Sequence, residues 1–156
     1  MTIRTTEEFR DDLAQFDTCM LATKDGSRLR SRPMKPYLDN PDGTIRFLTS
    51  TKTHKVSEVE ASPDANAIFA DEDGTWISVS GKVRLSSDAS DIDELWSPDA
   101  APWFVDGKAE AIVMIMTPDM AEYWDSGSKL KAGWELAKSA MTGKKPDIGE
   151  HGKIAL

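Results

Sequence analysis

Three turn signals, Lys24-Asp25-Gly26-Ser27, Asn40-Pro41-Asp42-Gly43 and Asp71-Glu72-Asp73-Gly74, each separate two short segments that are apolar or alternate in polarity. Asp-Gly between such segments marks a β-hairpin, because glycine takes the positive φ of a tight turn without a Cβ penalty. Strands punctuated this way pair locally and antiparallel. Thr18 to Thr23 is a short apolar strand. Arg28 to Leu38 is a second, made irregular or edge-like by Pro33 and Pro36. Thr44 to Thr49 completes a second hairpin. Asn66 to Asp71 and Thr75 to Ser86 form a third, in which Trp76, Ser78 and Ser80 alternate with Ile77, Val79 and Gly81. Glu110 to Thr117 is an apolar strand, and Asp119 to Trp124 follows a break at Pro118.

Helical segments fill the gaps. Thr5 to Gln15 opens with a capping box, Thr5 and Glu8, and sets Phe9, Leu13 and Phe16 on one face. Thr53 to Ala61 turns Val56 and Val59 inward and stops at Ser62-Pro63. Asp88 to Trp96, capped by Ser87, and Lys129 to Met141 complete the set. Pro98 to Gly107 is a loop carrying Trp103 and Phe104, and residues 143–156 read as a loose tail. At 156 residues the chain makes one domain with a real core. The fold class is mainly β (α+β): about six short antiparallel strands in a small barrel with flanking helices.

Charge is distributed unevenly. Between Lys24 and Lys55 eight Lys or Arg face three acids, so this segment carries +5 in a chain whose net charge is −8. A basic island in an acidic chain suits a small anion such as a phosphate. The overall acidity, with a pI near 4.8, argues against nucleic acid or an anionic membrane as the main partner. No run reaches the length of a membrane span, and Met1 to Glu8 lacks the apolar stretch of a signal peptide. Cys19 is the single cysteine; it lies in the apolar run Cys19-Met20-Leu21-Ala22 and reads as a packing thiol in a reducing, cytoplasmic setting. His54 and His151 are too far apart for metal-ligand spacing and have no nucleophile beside them. The glycines form no Walker or dinucleotide loop. Trp76, Trp96 and Trp103 are expected in core or interface packing, Met114 and Met116 in the core, and Asp71-Glu72-Asp73 at a solvated hairpin tip.

Two elements inside the basic island could hold an anion. On a strand, Arg28, Arg30 and Arg32 share one face, and each guanidinium offers a fork of donors matched to phosphate oxygens. Thr53-His54-Lys55 stands at the start of the second helix, where free N–H groups and the dipole favour negative charge. A phosphate cradle and a solvated basic surface both remain open on this pattern.

The order of five segments goes further. Leu29-Arg30-Ser31-Arg32-Pro33-Met34 (with the Arg30 to Lys35 spacing), Phe47-Leu48-Thr49 followed by Thr53-His54-Lys55, Trp76-Ile77-Ser78-Val79-Ser80-Gly81, Leu95-Trp96 with Pro98, Trp103 and Phe104, and Ala121-Glu122-Tyr123-Trp124-Asp125 stand in that order. From about Phe9 to Trp124 the chain resembles the flavin-binding split-barrel superfamily of pyridoxamine 5′-phosphate oxidases, in its short general stress protein branch. The resemblance implies a six-stranded split barrel and a homodimer with FMN at the shared interface. It also implies a binding set of Arg30, Ser31, Arg32, Pro33, Met34, Lys35, Leu48, Thr49, Thr53, His54, Lys55 and Trp124. Arg30, His54 and Lys55 would hold the phosphate, Lys35 and Thr49 would lie by the flavin, and Trp124 would reach it from the partner subunit.

Two departures from the pattern stand out. His54 replaces the arginine of the family's Ser-Arg-Lys tripeptide, which weakens the cradle and ties it to histidine protonation. Ser126-Gly127-Ser128-Lys129-Leu130-Lys131 stands where the oxidases proper hold the vitamin phosphate, so pyridoxamine phosphate oxidation itself is not expected. The resemblance implies an FMN-dependent oxidoreductase linked to stress, acting with an unidentified small-molecule donor or acceptor. The alternatives are a non-catalytic flavin sensor or reservoir, or a relative using FAD, a deazaflavin or haem. An oligonucleotide-binding barrel fits the size but not the charge.

Overall fold

The computed structural model describes residues 6–125, 140–144 and 150–156. Helix α1 (Thr6–Leu13) leads into β1 (Cys19–Asp25), β2 (Arg28–Met34) and β3 (Ile45–Ser50); α2 (His54–Ala61) then precedes β4 (Asp64–Ala70) and β5 (Thr75–Ser86). Helix α3 (Ala89–Leu95) and two single 3-10 turns follow, then β6 (Ala111–Asp125) and β7 (Glu150–Ala155). The expected Thr5 cap and most of the helix over 129–141 lie outside the described residues. Asp88, one residue later than expected, is the N-cap of α3.

The strands run in the order β2-β1-β4-β5-β6-β3, all antiparallel, and curl into a half-barrel with flanking helices. The three turn glycines Gly26, Gly43 and Gly74 all have positive φ, yet only two of the three expected hairpins form: β1 pairs β2 and β4 pairs β5. After a single bridge between Tyr37 and Arg46 the chain carries β3 to the other end of the strand order, against β6. Phe9 and Leu13 of α1 enter the interior with Leu21, Phe47, Phe69, Val79 and Met114, and Phe16 packs edge-on against Phe69 at 5.6 Å. Met114 and Met116 are fully buried, as expected. Cys19 is buried as well, and burial pushes its thiol up to about 12, which fits a packing role and opposes a nucleophilic one.

Strand β6 is the spine of the sheet, and it corrects two expectations. Pro118 does not end a strand: Ala111–Asp125 is continuous, and the β5 register shifts between Ser80 and Gly81, opposite Pro118. A bulge leaves a position that needs no ladder N–H, so proline fits there. Nor is the C-terminus a loose tail. Glu150–Ala155 pairs with Met120–Asp125, adding a seventh strand to the edge that β3 leaves free. Its alternation puts Gly152 and Ile154 inward, and the Tyr123 ring lies against Gly152 where a Cβ would collide.

Residues Ala111 to Met116 of β6 are buried on both faces. One face joins the barrel core. The other meets α3 and the following loop in a second cluster of Ile92, Leu95, Phe104, Val113 and Ile115, with Tyr37, Leu48 and Trp96 packed against it.

Candidate functional site

A cavity of about 530 Å³ lies beside this second cluster. Pro33, Met34 and Lys35 at the end of β2 line it with Tyr37, and Leu48, Thr49 and Ser50 line it from the end of β3. Thr53 and Lys55 come from the start of α2, and Ser97, Asp99, Ala100, Trp103 and Phe104 from the loop after α3. The volume is that of a cofactor site, and the lining joins apolar and aromatic walls to a few hydroxyls and two lysines. A smaller hollow of about 120 Å³ beside Phe9 and Leu13 is too small for an organic cofactor.

Local bonds fix the walls. Thr53 Oγ1 donates to the Ser50 carbonyl at 2.9 Å, closing the β3–α2 turn and bringing its hydroxyl within 3.5 Å of Thr49 Oγ1. On the far side of that turn Lys52 pairs with Asp106 and, at 3.2 Å, with the buried Glu110. The Thr51 N–H donates to the Glu110 carbonyl at 2.8 Å. These contacts tie the turn to the segment before β6. In the loop itself the rings of Trp96 and Phe104 pack at 5.1 Å.

Four of the basic island's eight cations, Arg30, Arg32, Arg46 and Lys52, pair with carboxylates, most of them brought from elsewhere in the chain. Arg46 pairs with Asp42, Asp91 and Glu94, and Lys52 with Asp106 and Glu110. Arg28, Arg30 and Arg32 do share a face of β2, but their fates differ. Arg32 turns inward: Nη1 donates to Thr23 Oγ1 at 2.5 Å and to the Leu21 carbonyl at 3.3 Å, and Nη2 donates to Glu58 Oε2 at 2.7 Å. Thr23 Oγ1 donates its own hydrogen bond to the same carboxylate oxygen. Arg30 is half exposed, 3.4 Å from Asp25 and 3.9 Å from Glu58 Oε1. Arg28 is exposed.

Glu58, on α2, is a buried carboxylate whose side chain is 4% exposed. Burial raises its affinity for protons, but the hydrogen bonds from Thr23 and Arg32 and the charges of Arg32 and Arg30 outweigh it, so its pKa lies below 4.5. Lys55 shifts down from 10.5 through burial and the repulsion of Arg32, partly offset by Glu58. The Glu58 sign is definite. A carboxylate with a depressed native pKa contributes stability that is complete above its unfolded value and lost as pH falls through the native one. We therefore expect unfolding free energy, measured in urea, to fall as pH drops below about 5, with a shallower decline in Glu58→Gln.

Of the residues expected to bind a cofactor, Pro33, Met34, Lys35, Leu48, Thr49, Thr53 and Lys55 line the one cavity. Arg30 and Arg32 surround Glu58 beside Lys55. Ser31 points to the opposite face of β2. His54 is exposed and lines a separate hollow with Thr51, Lys52, Ser57 and Glu60. Trp124 stands on the outer face of the sheet, its ring stacked on His151 at 5.2 Å. Tyr37, Ser50, Ser97 and Asp99 were not anticipated. Trp103 and Trp76 are not in the core: they are 81% and 44% exposed, and Trp103 sits at the cavity rim.

A half-barrel with a cavity of this volume, walled by aromatic side chains and carrying Lys35 and Lys55, has the form of a small-molecule binding site. A family model described as pyridoxamine 5′-phosphate oxidase like matches residues 4–147, and the chain belongs to that family. General stress protein 26 of Bacillus subtilis (strain 168) is 30% identical over 122 residues, 74% of this chain and 85% of that protein. A structure from Jannaschia sp. CCS1, provisionally assigned as general stress protein 26, superposes with a TM-score of 0.74 at 31% identity, covering 97% of this chain and 98% of that one. The general stress FMN/FAD binding protein of Xanthomonas citri gives 0.67 at 26% identity, covering 79% and 89%. Among the described residues no helix is long and apolar enough to cross a membrane.

Proposed function

We propose that this chain is an FMN-binding protein that works as a homodimeric, stress-linked flavin oxidoreductase of the cytoplasm. The observation that carries the flavin reading is the cavity itself, where Met34, Tyr37, Leu48, Trp103 and Phe104 offer surfaces for a flat ring and Lys55 brings positive charge beside Arg30 and Arg32. Thr49, Ser50 and Thr53 offer hydroxyls suited to a ribityl chain. The Xanthomonas relative, which binds FMN/FAD, supports the same reading. When bound, the flavin would supply the redox chemistry, accepting hydride or electrons and passing them on; the protein holds and orients it.

The homodimer is supported by the outer face of the sheet. Met20, Ile68, Trp76, Met120 and Trp124 are each between 38% and 44% exposed there, and the register sets Met20 beside Ile68 and Trp76 beside Trp124. These apolar side chains share the face with Asn66, Ser78, Ser80 and Glu122, and a mixed sheet face of this kind suits contact with a second copy. Trp76→Glu is expected to shift the protein from dimer to monomer in light-scattering chromatography; an unshifted mass would exclude this face from the interface.

The test of function is the visible spectrum after addition of FMN and desalting. A retained flavin band that NAD(P)H bleaches and an acceptor restores would support the oxidoreductase. A retained band that no donor bleaches would favour a flavin reservoir or sensor. No retained band overturns the FMN assignment.

A further inference from the structure

The strongest unexplained feature is the second oxygen of Glu58. Oε2 is doubly held by Arg32 and Thr23, whereas Oε1 is buried and has no hydrogen-bond partner among the described residues. A buried carboxylate oxygen left unpaired is costly, so its persistence asks for a reason. Arg30 Nη1 is 3.9 Å away, outside hydrogen-bond range, and is drawn toward Asp25 on the other side at 3.4 Å. Arg30 is thus shared between two carboxylates and well seated on neither. Arg32, by contrast, has three acceptors and is locked.

We propose that Glu58 is a resident anion of the cation set, competing with the ligand's phosphate for Arg30 and setting the affinity of the site. The inference rests on reading the cavity as a phosphate-ended cofactor site. Arg30, Arg32 and Lys55 against Glu58 and Asp25 leave a net +1, so the carboxylates hold down the pull of the cation set on an incoming anion. In the empty protein Glu58 neutralises Arg32 and attracts Arg30 and Lys55. When a phosphate arrives, Arg30 and Lys55 turn to it, while Arg32 stays on Glu58. The direction of the carboxyl pKa supports this picture, since Glu58 stays ionised at neutral pH and the charge is always present. Glu58 is therefore an affinity-setting residue that acts through its neighbours, with no contact to the ligand required.

Inorganic phosphate, titrated calorimetrically into the full-length protein at neutral pH, separates this role from a structural one. Glu58→Gln removes the charge but keeps an acceptor for Thr23 and Arg32. It should bind phosphate about tenfold more tightly, and phosphate should raise its melting temperature more than that of the wild type. A purely structural Glu58 would give the opposite, equal or weaker binding, and that result overturns the proposal. Should Glu58→Gln fail to fold, Arg30→Gln decides. If Arg30 is the exchangeable partner, that variant loses phosphate affinity while its stability in phosphate-free buffer is unchanged. Marked destabilisation of Arg30→Gln without phosphate would show a fixed ion pair and also overturn the proposal. Because FMN is not the probe, the two readings fail separately. Phosphate binding with these signatures but no flavin retention removes the flavin and leaves Glu58 its role.

Discussion

Gly81→Ala is expected to lower the free energy of unfolding by about 3 kcal/mol, as large an effect as a core truncation, although only one methyl group is added. A Cβ at Gly81 would press into the carbonyl oxygen of Thr117 and lie 2.9 Å from its carbonyl carbon and 3.0 Å from Pro118 Cα. All three contacts are backbone, so no rotamer change relieves them. They also fall at the bulge where β5 shifts register against β6. To accept the methyl group the two strands must separate there, and β6 also carries the pairings with β3 and β7. Urea denaturation of the variant against wild type measures the loss. Gly26→Ala serves as the contrast, because a Cβ there meets nothing and only its positive φ of 61° carries a penalty, which holds the expected cost to about 1 kcal/mol. A Gly81→Ala protein as stable as Gly26→Ala would mean that the bulge yields and that its tight approach is not what fixes the register.

The difference between these two glycines shows what the sequence can and cannot disclose. Gly26, Gly43 and Gly74 each follow an Asp, a local signal, and the β1–β2 and β4–β5 hairpins were legible from it; the same signal at Gly43 misled, because β3 pairs with β6 and not with β2. Gly81 sits in an alternating strand like any other inward residue, and only its distant partners Thr117 and Pro118 make it special. Pro118 misleads for the same reason. As a local signal it breaks a strand; opposite a bulge it belongs in one. The β7 strand was missed because its six residues carry just two inward positions, Gly152 and Ile154, too few for a periodic signature. At the site, the short-range pieces were readable: the end of β2, the end of β3 and the start of α2 converge as the five ordered segments imply. What the sequence hides is pairing across distance. A +5 count cannot reveal that Arg46 is already committed to Asp91 and Glu94, or Arg32 to Glu58. Nor can it show that neighbours in one tripeptide, His54 and Lys55, face different hollows.

That last point carries a second large expectation. Lys55→Ala should weaken FMN binding by about 2 to 3 kcal/mol, or roughly 30- to 150-fold, the worth of a charge-assisted bond to phosphate in a half-buried site. His54→Ala should change it by less than about threefold, as expected of an exposed side chain outside the cavity. The family tripeptide would assign comparable weight to both positions; the geometry does not, because α2 advances about 100° per residue and turns one side chain to the cavity and the next away. The pH dependence separates the two independently. Burial and Arg32 lower the Lys55 pKa from 10.5, so its charge, and with it flavin affinity, should decline as pH rises through that lowered value. A histidine-dependent cradle would instead weaken near neutrality, the range in which histidines as a class change charge. Fluorescence titration of FMN from about pH 6 to about pH 10 for wild type and both variants distinguishes these outcomes. Affinity flat through neutrality, falling only on the alkaline side and insensitive to His54→Ala, assigns the phosphate to Lys55. A fall centred near neutrality that disappears in His54→Ala would return it to His54, and would require α2 to rotate when the ligand binds.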